Sequence, residues 1–549
     1  MELLLAIAQI DTHVGALDDN LEHMTNAARQ ARQLGAALVV FPELALTGYP
    51  PEDLLHKPLF LEKLAQAEST FHRSLGQIGI DAVYGSVRRD ASGLINAGVF
   101  VQNGTEAGFS GKRRLPNYGV FDERRYFVPS KKTRIFAYKG FPFGITICED
   151  IWHPGGPLPK LARAGAAFIL HLNASPYHVG KQPEREAMAR ERVTECGLPM
   201  LYINLVGGQD ELVFDGGSFA INADGHIAQR EPLLTESLSL VRLQRQPGGL
   251  VHFLQGPIAA LPEQEQEIYT ALCLGMRDYV RKNRFKGVVL GLSGGIDSAL
   301  TLVICADALG SDRVEALMMP SPYTSQDSLE DAAEGAKRMG VALNTVAITP
   351  LFEGFRTQLA PLFAGLPADV TEENIQPRIR ATLLMALSNK KGSLLVTTGN
   401  KSEVSVGYAT LYGDMAGGFS VLKDLLKETV YRLAKSRNRW AESQGLIPPI
   451  PVRILEKPPT AELKFNQKDT DSLPPYPVLD QILELYVEQE KGLDAIVERG
   501  IDRQTALKVI TMVDRNEYKR RQSPPGVRVT RRAFGKDRRY PITNGFKVS

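Results

Sequence analysis

Short apolar runs alternate with amphipathic stretches along the first half of the chain. Apolar side chains over 17–33 have helical spacing and predict a helix that stops at Gly35, and a second helix is predicted over 183–196. Apolar runs predict strands over 3–10, 37–41, 81–87, 97–102, 143–148, 167–173, 200–206 and 218–222, with closing strands inside 234–255. Many strands with few helices between them favour two packed sheets covered by helices over one doubly wound sheet.

In the second half, strands alternate regularly with helices. Helices are predicted from residue 265, over 298–309, over 329–339, from 350 and over 376–389, and strands over 288–290, 314–319, 342–348 and 393–397. This alternation is typical of a parallel, doubly wound sheet. Its right-handed crossovers bring the loops that begin at Ser293, Ser321 and Thr398 to one edge, where we expect them to meet a nucleotide.

A polar segment with prolines, 257–265, separates the two patterns. The length of 549 residues also exceeds what one hydrophobic core usually supports. We therefore predict two domains, 1–258 and 259–549.

Composition narrows the class of protein. With 43% hydrophobic residues, 23% charged residues and a formal net charge of +2, the chain shows no sign of a polyanion-binding surface, so we expect small-molecule substrates and no nucleic acid. The four cysteines are far apart, which excludes the common zinc spacings and a disulfide framework and suits a reducing cytoplasm. No window reaches about eighteen uninterrupted apolar residues, so no membrane span is predicted. We expect a cytoplasmic enzyme that forms a homo-oligomer.

A glycine-rich turn follows the apolar run Val288-Val289-Leu290 and precedes a predicted helix. Its residues are Gly291, Leu292, Ser293, Gly294, Gly295, Ile296, Asp297 and Ser298. The free N–H groups and the dipole of a helix N-terminus favour an anion, and paired glycines let the backbone approach a phosphate closely. The turn is neither a Walker loop nor a Gly-x-Gly-x-x-Gly turn. Asp297 would repel a phosphate unless a cation lay between them, so the turn implies Mg²⁺.

Three residues of the first half carry candidate chemistry. Glu43 ends a buried strand, Lys112 lies in a basic run, and Cys148 closes an apolar strand before a predicted helix start. In that turn we expect Cys148 to be exposed and to have its pKa lowered by the helix dipole. A carboxylate can take its proton, and an ammonium can stabilise an oxyanion. The alternative for each is structural, namely a small buried thiol or a solvated lysine.

The combination Phe-Pro-Glu, Lys-x-x-Leu-Pro and Ile-Cys-Glu-Asp-Ile-Trp, in this order, resembles the nitrilase superfamily. That resemblance implies an α-β-β-α sandwich in which Glu43 is the base, Lys112 the oxyanion lysine and Cys148 the nucleophile of an amide hydrolase. The run Asn-Ala-Ser-Pro-Tyr followed by a lysine resembles the glutaminase branch. It implies a glutamine pocket made by Tyr118, Ser175 and Lys181, with Glu149 near the α-ammonium and Glu123 as a second, supporting glutamate.

The turn at 291–298 resembles the pyrophosphate loop of the N-type ATP pyrophosphatases. Further along, Pro-Ser-Pro-Tyr-Thr-Ser, Glu-Asn-Ile-Gln-Pro-Arg, Thr-Thr-Gly-Asn-Lys-Ser-Glu, Tyr-Gly-Asp-Met and Pro-Pro-Thr-Ala-Glu-Leu resemble NAD⁺ synthetases in sequential order. The whole chain thus resembles the glutamine-dependent NAD⁺ synthetases, with a Rossmann-like second domain. This resemblance implies that ATP is a substrate and contacts 291–298 and Thr398, and that Asp297 and Glu403 bind Mg²⁺. It also implies dinucleotide contacts by Asn374, Arg378, Glu403, Asp414, Lys423 and Lys519.

The resemblance implies that ammonia from glutamine amidates deamido-NAD⁺ through an adenylated intermediate. Another glutamine-dependent N-type ATP pyrophosphatase with a different acceptor is the alternative. Asparagine synthetases need a cysteine as second residue, where this chain has Glu2, and the Gly-x-Cys-x-Gly elbow of GMP synthetases is absent. Enzymes that thiolate tRNA usually carry paired cysteines and a basic surface. A non-catalytic nucleotide sensor fused to an amidase is the alternative from another class.

The segment 518–539 is strongly basic. A solvated face, a flexible arm and a nucleic-acid patch are all compatible with such a segment. We favour a further interpretation, in which it folds over the nucleotide site and supplies cations to the pyrophosphate groups.

Overall fold

A computed structural model of the chain describes residues 1–247 and 249–546. The chain divides into two compact units, Met1–Pro262 and Glu263–Ser549. The boundary predicted from the sequence, between 258 and 259, lies four residues earlier. None of the helices described combines the length and the apolar character needed to span a bilayer.

The first unit is built mainly from strands. In the part that the structure describes they are β1 (Glu2–Gln9), β2 (Leu38–Val40), β3 (Asp81–Asp90), β4 (Gly93–Gln102), β5 (Thr105–Gly111), β6 (Ile135–Tyr138), β7 (Phe141–Ile147), β8 (Phe168–Asn173), β9 (Met200–Asn204), β10 (Val206–Gln209), β11 (Leu212–Asp215), β12 (Phe219–Ile221), β13 (Ile227–Arg230), β14 (Ser237–Arg245) and β15 (Val251–Phe253). One sheet has the order β15-β14-β1-β2-β3-β4-β5 and a second the order β13-β12-β9-β8-β7-β6, while β10 and β11 form a separate pair.

Two helices cover each sheet on its outer face. They are α1 (Leu17–Gln33), α2 (Pro58–Ile78), α3 (Leu158–Arg163) and α4 (Lys181–Cys196). The inner faces of the two sheets share one core, in which Leu5 of β1 lies in the same cluster as Phe143 and Leu170. Met24 and Phe71 belong to the core between the first sheet and its helices. The layer order is therefore α-β-β-α, as the resemblance implied, and both faces of the strands are buried, which explains their nearly continuous apolar runs.

Four strands of the first unit end where the candidate chemistry begins. Strand β2 runs parallel to both β1 and β3, and β8 runs parallel to both β7 and β9. Strand β5 is antiparallel to β4, which is antiparallel to β3, so β5 points the same way as β2. The four carboxyl ends carry Glu43, Lys112, Cys148 and Ser175. Strand direction thus brings these ends together within each sheet, and the hydrogen bond from the N–H of Ala174 to Glu43 Oε2 joins the two sheets there.

The second unit combines a parallel sheet with many helices. Its described elements are α5 (Gln264–Lys282), β16 (Val288–Gly291), α6 (Ile296–Leu309), β17 (Val314–Met318), α7 (Gln326–Met339), β18 (Ala342–Thr345), α8 (Thr349–Leu359), α9 (Val370–Lys391), β19 (Leu394–Thr397), α10 (Lys401–Val406), β20 (Phe419–Ser420), α11 (Lys427–Ser443), α12 (Val452–Glu456), α13 (Tyr476–Leu483), α14 (Leu493–Val497), α15 (Arg503–Arg515) and α16 (Glu517–Arg520).

All strand pairs of this sheet are parallel, in the order β18-β17-β16-β19-β20. The chain starts at β16, proceeds to β17 and β18, and returns to the other side of β16 with β19. This reversal makes a crevice between β16 and β19, the usual ligand position in doubly wound sheets. The predicted fold class is confirmed.

Candidate active sites

Cys148 lies directly after β7, in a sharp turn. It begins one turn of 3₁₀-helix, Cys148–Ile151, and its φ of +42° places it in the left-handed region, which is uncommon for a residue other than glycine. Such strain is often found at functional positions. The side chain is buried, with 2% of the residue exposed.

The predicted exposure and lowered pKa of Cys148 are wrong. Burial raises the pKa of the Cys148 thiol well above its usual value, and the charge of Glu43 adds to the effect, whereas Lys112 opposes it. The helix that follows has a single turn, so its dipole is too small to offset these effects. The resting thiol is therefore protonated, and attack requires a base.

Glu43 and Lys112 form a buried ion pair, with 2.8 Å between Glu43 Oε1 and Lys112 Nζ. Lys112 also donates to Glu123 Oε1 at 2.6 Å. Burial alone would lower the pKa of Lys112, but the charges of Glu123 and Glu43 raise it well above its usual value. These contacts use two of the three ammonium donors and leave one for an oxyanion.

The backbone next to Glu43, which follows β2, passes very close to strand β3. At Gly85 of β3, a Cβ atom would lie 2.1 Å from the backbone nitrogen of Leu44. Glu43 itself accepts hydrogen bonds from Asn96 Nδ2 at 2.7 Å and from the N–H of Ala174 at 3.0 Å. The carboxylate is therefore fixed by partners from three different segments.

Asp150 links the nucleophile turn to the lysine segment. Its Oδ2 accepts the N–H of Ile147 at 3.0 Å, and its Oδ1 accepts those of Arg113 at 2.8 Å and Arg114 at 3.0 Å. The residues that flank Cys148 and Lys112 are thus held by one buried carboxylate. Burial raises the pKa of Asp150 to about 6, against the effect of these backbone donors. The sequence analysis did not single it out.

The residues predicted for a glutamine pocket surround the same turn. Tyr118 is exposed and donates its hydroxyl to Glu149 Oε2 at 2.9 Å, and His153 Nε2 lies 3.2 Å from Glu149 Oε1. Arg185 Nε donates to Ser175 Oγ at 3.2 Å. The Lys181 ammonium lies 3.8 Å from the centre of the Trp152 ring. The sequence analysis assigned no role to Trp152 or Arg185.

In the second unit, the turn at 291–298 ends at the start of α6. Gly294 has a φ of +80°, and a Cβ atom there would lie 2.3 Å from the carbonyl oxygen of Ser328. Ser298 Oγ accepts the N–H of Ser293 at 3.2 Å and lies 3.0 Å from Ser293 Oγ. Two hydroxyls and the first N–H groups of a fourteen-residue helix therefore face one point, as an anion requires.

This turn lines a cavity of about 310 Å³. All eight residues of 291–298 contribute to its wall, together with Thr398, Glu403, Asp414 and Lys423. The three predicted loops do not contribute equally, because the second one supplies Thr324, and Ser321 is not part of the wall. Thr397 and Leu317, at the ends of β19 and β17, also line it, so the cavity occupies the crevice that the strand order creates.

Asn374, Arg378 and Lys519 do not line this cavity and instead support the segment 407–411. Asn374 Oδ1 accepts the hydroxyl of Thr410 at 2.7 Å, and Arg378 Nε donates to the carbonyl of Leu411 at 3.2 Å. Lys519 Nζ donates to the carbonyls of Gly407 at 2.8 Å and Ala409 at 2.9 Å. These three of the six residues predicted to contact the dinucleotide thus bind one stretch of the chain beside the cavity.

Lys427 lies between Asp297 and Glu403 and contacts both carboxylates. Lys427 Nζ donates to Asp297 Oδ2 and, at 3.1 Å, to Glu403 Oε1, and Asn400 Nδ2 donates to Asp297 Oδ1 at 2.8 Å. Burial raises the pKa of Glu403 to about 7, and Asp297 contributes in the same direction while Lys427 opposes it. Within the described ranges, no three His, Cys, Asp or Glu side chains come together as a metal site.

The basic segment 518–539 is neither a flexible arm nor a source of cations for the cavity. Arg520, Arg528 and Arg538 are buried. Arg528 pairs with Asp537 at 2.6 Å, and Arg520 and Arg538 both pair with Glu517. The favoured interpretation is wrong in this respect: the cavity wall contains Ser523 and Pro524 but no arginine of this segment.

Comparison with known proteins covers both units. A carbon-nitrogen hydrolase family model matches residues 4–252, and an NAD synthase model matches residues 268–523. The glutamine-dependent NAD(+) synthetase of Acinetobacter baylyi is 46% identical over 99% of this chain and 98% of its own, and that of Thermotoga maritima is 44% identical over 99% of each. The chain belongs to the glutamine-dependent NAD(+) synthetase family.

Solved structures agree with this assignment. The glutamine-dependent NAD+ synthetase from Acinetobacter baumannii, in complex with adenosine diphosphate, is 44% identical, has a TM-score of 0.79 and is covered completely, as is this chain. The enzyme from Cytophaga hutchinsonii, at 22% identity and a TM-score of 0.82 over 99% of this chain and 98% of its own, shares the fold. Members of this family are ligases that use glutamine as amide donor, and so is this chain.

Three positively charged residues outside the quoted motifs also line the synthetase cavity. They are Arg380, Lys427 and Lys457. Arg380 donates from Nε to the carbonyl of Met319 at 3.1 Å. Burial lowers the pKa of Arg380 to about 10, against the opposing charges of Glu462 and Asp414. No sequence pattern separates these cations from surface ones, because their burial depends on distant segments.

The buried ion pair of Arg185 and Asp215, in which Arg185 also contacts Ser175, is expected to stabilise the first unit. Arg185 and Asp215 are both fully buried and make two contacts, of 2.6 and 2.8 Å. We expect Asp215→Asn to destabilise the first unit by about 3–5 kcal/mol, because it leaves a buried guanidinium without its counter-charge. Urea unfolding in a Trp440→Phe background measures this directly, since Trp152 is then the sole tryptophan.

Glu195→Gln is the matched control, on the helix α4 that also carries Arg185. Glu195 pairs with Arg192 at 2.7 Å, but its side chain is 39% exposed. We expect a loss of about 0–1 kcal/mol there. Equal losses in the two variants would contradict the role given to the buried pair.

Proposed function

We propose that the chain converts deamido-NAD⁺ to NAD⁺ with ATP and with ammonia released from glutamine. The observation that supports this best is the pairing, in one chain, of a buried Glu43–Lys112 pair beside Cys148 with a phosphate turn that lines a nucleotide-sized cavity. The products are glutamate, AMP, pyrophosphate and NAD⁺.

In the glutaminase reaction, Glu43 takes the proton of the Cys148 thiol and the thiolate attacks the side-chain amide carbon of glutamine. The third N–H of Lys112 stabilises the oxyanion, because a fixed donor in a dry site needs no reorganisation. Protonated Glu43 returns the proton to the leaving nitrogen, and ammonia departs. Water, activated by Glu43, then hydrolyses the thioester and releases glutamate.

In the synthetase reaction, the nicotinate carboxylate attacks the α-phosphorus of ATP and expels pyrophosphate. The hydroxyls of Ser293 and Ser298 and the start of α6 receive the pyrophosphate. Ammonia then attacks the acyl carbon and displaces AMP, which leaves the carboxamide. A carboxylate is unreactive toward ammonia near neutral pH, so adenylation supplies the leaving group.

Asp297 and Glu403 are the residues that would hold Mg²⁺. Two carboxylates beside a phosphate turn fit this ion, since Mg²⁺ is commonly held by one or two carboxylates with substrate phosphates and water completing the shell. Bound there, it would neutralise negative charge on the triphosphate. Lys427, buried between the same carboxylates, provides a positive charge of the chain itself at this position. The relative from Acinetobacter baumannii in complex with ADP supports nucleotide binding by this chain.

We further propose that the chain acts in the cytoplasm as a homo-oligomer. Exposed apolar side chains within the segment 351–370 support self-association: Leu351, Phe355, Leu362, Leu366 and Val370 have exposed fractions of 44%, 51%, 74%, 68% and 64%. Large apolar surfaces on a protein usually mark an interaction site.

An assay of pyrophosphate release tests the proposed reaction. With glutamine, ATP and deamido-NAD⁺ together we expect pyrophosphate and AMP in equal amounts with at least as much glutamate, and neither pyrophosphate nor AMP when deamido-NAD⁺ is omitted. Release of pyrophosphate with another carboxylate acceptor, but not with deamido-NAD⁺, would contradict the proposed substrate.

We also predict that the KM for glutamine rises at alkaline pH. Burial and the charge of Arg185 lower the pKa of Lys181 to about 8, while Glu184 opposes this. Lys181 therefore holds its charge below that pH and loses it above, and with it the attraction for the α-carboxylate. We expect KM to rise about tenfold per pH unit above the pKa, as measured by initial rates between about pH 7 and 9.5.

Lys181→Arg is the control, because a guanidinium stays charged throughout this range. The rise in KM should be absent from this variant, whatever its absolute KM. Identical pH profiles for the two proteins would contradict the role of Lys181.

A further inference from the structure

Trp152 and Lys181 form a close cation–π pair in the glutaminase unit. The ammonium lies 3.8 Å from the ring centre. Trp152 directly follows the turn Cys148–Ile151, and its N–H donates to the carbonyl of Glu149 at 3.2 Å. The backbone of Trp152 is thus held to the turn that carries the nucleophile, and Lys181 lies at the start of α4.

The other charged neighbours of Lys181 hold it only loosely. Glu184 Oε2 lies 3.5 Å from Lys181 Nζ and also faces His178 Nε2, at 3.4 Å. By comparison, the contacts between Lys112 and its two carboxylates are 2.8 and 2.6 Å. Arg185 repels the ammonium and Cys148 lies close enough to influence it. Glu184 is therefore shared between Lys181 and His178, and the Trp152 ring, with its centre 3.8 Å from the ammonium, is a second close partner of Lys181.

We propose that Trp152 is a positioning residue that presents the Lys181 ammonium to the α-carboxylate of glutamine. The inference rests on the proposed role of Lys181 in binding that carboxylate. An aromatic face attracts a cation without neutralising it, so the full charge stays available to the substrate. A carboxylate in the place of the ring would hold Lys181 equally well but would cancel the charge that glutamine needs. Trp152 would then favour glutamine over primary amides that have no α-carboxylate.

The test compares two substrates that differ only in this group. Glutamine and 4-aminobutanamide have the same chain, amide and ammonium, and only glutamine has the carboxylate. We expect Trp152→Leu to raise the KM for glutamine about tenfold, and Trp152→Phe to raise it less than about threefold, because phenylalanine keeps an aromatic face. For 4-aminobutanamide, we expect kcat/KM to change less than about twofold in both variants.

The chain contains a matched control pair. Arg437 lies 4.5 Å from the centre of the Trp440 ring, in the second unit, and the sequence holds only these two tryptophans. Trp440→Phe should leave the KM for glutamine unchanged and makes Trp152 the sole fluorophore. Added to the Cys148→Ala, Trp440→Phe protein, glutamine should change the Trp152 emission, and 4-aminobutanamide should change it far less.

Each other result has a distinct meaning. An equal loss of kcat/KM for both substrates in Trp152→Leu would overturn the inference and assign Trp152 to the shape of the nucleophile turn. A KM raised by Lys181→Met but not by Trp152→Leu would also overturn it and leave the proposed function intact. A KM insensitive to Lys181→Met would refute the role of Lys181 itself. Urea unfolding followed by circular dichroism verifies that the first unit of each variant is folded.

Discussion

Replacement of Cys148 by alanine is expected to abolish glutamine-fed NAD⁺ synthesis and to spare the ammonia-fed reaction. The variant lacks the nucleophile, so glutamine hydrolysis should fall by at least about 10³-fold, as is usual when a covalent catalyst is removed. Synthesis from ammonium should stay within about twofold of the unaltered protein, since Cys148 is assigned no role in the synthetase reaction and mutations without shared partners usually act independently. Both rates are measured as NAD⁺ formed, with glutamine or an ammonium salt as the nitrogen source.

Cys196→Ala is the control in the same unit, because Cys196 is half-buried at the end of α4 and has no proposed role. It should leave both rates unchanged. Equal loss of the ammonia-fed and glutamine-fed reactions in Cys148→Ala would show that the two chemistries are not separable as proposed.

Asp297→Asn is expected to produce the opposite pattern. The amide keeps the shape of the side chain but removes a negative charge beside the phosphate turn. We expect NAD⁺ synthesis from either nitrogen source to fall by at least about 10²-fold, because charge placed at a phosphoryl-transfer site is a large part of catalysis. Hydrolysis of glutamine, measured as glutamate released without the other substrates, should continue.

Asp307→Asn tests whether this effect belongs to the site. Asp307 is on the same helix, α6, but pairs with Arg437 at 2.7 Å outside the cavity wall. It should leave both rates near their original values. If Asp297→Asn removed glutamine hydrolysis as completely as synthesis, the assignment of Asp297 to the synthetase reaction would be wrong.

The positions of the candidate catalytic residues were predictable because they depend on strand ends. Glu43 and Cys148 follow short apolar runs, and parallel strands place their carboxyl ends together whatever the details of the loops. The helix over 17–33 was predicted with the bounds that the structure has, because its apolar positions are regular. The local sequence pattern was therefore sufficient to predict the fold class and the position of Glu43 and Cys148 at strand ends.

Helix α2 was not predicted, although its signals are local. Its buried residues Phe60, Leu64, Phe71 and Leu75 have helical spacing, Pro58 is its first residue and Gly79 ends it in the left-handed conformation. Polar residues outnumber the apolar ones between these positions, so a search for apolar runs passes over it. A test for helical periodicity over this window finds it.

Other features depend on contacts between distant segments and could not be predicted. The pKa of Cys148 reflects burial and Glu43, which lies far away in the sequence. The sequence also offers no reason to prefer Lys427 over Lys423 beside Asp297, and both line the cavity. The basic segment 518–539 was assigned to the cavity because its acidic partners, such as Glu517 and Asp537, were not recognised.

The central claim is that the amide nitrogen of glutamine reaches a carboxylate that ATP has adenylated. Mass spectrometry of the products of one reaction tests it, with glutamine labelled by ¹⁵N in the amide and deamido-NAD⁺ labelled by ¹⁸O in the nicotinate carboxylate. Adenylation leaves the bridging oxygen with the phosphate when ammonia displaces AMP. The account predicts ¹⁵N in NAD⁺, one ¹⁸O in AMP and none in pyrophosphate. ADP and labelled phosphate as products, or NAD⁺ without ¹⁵N, would contradict it.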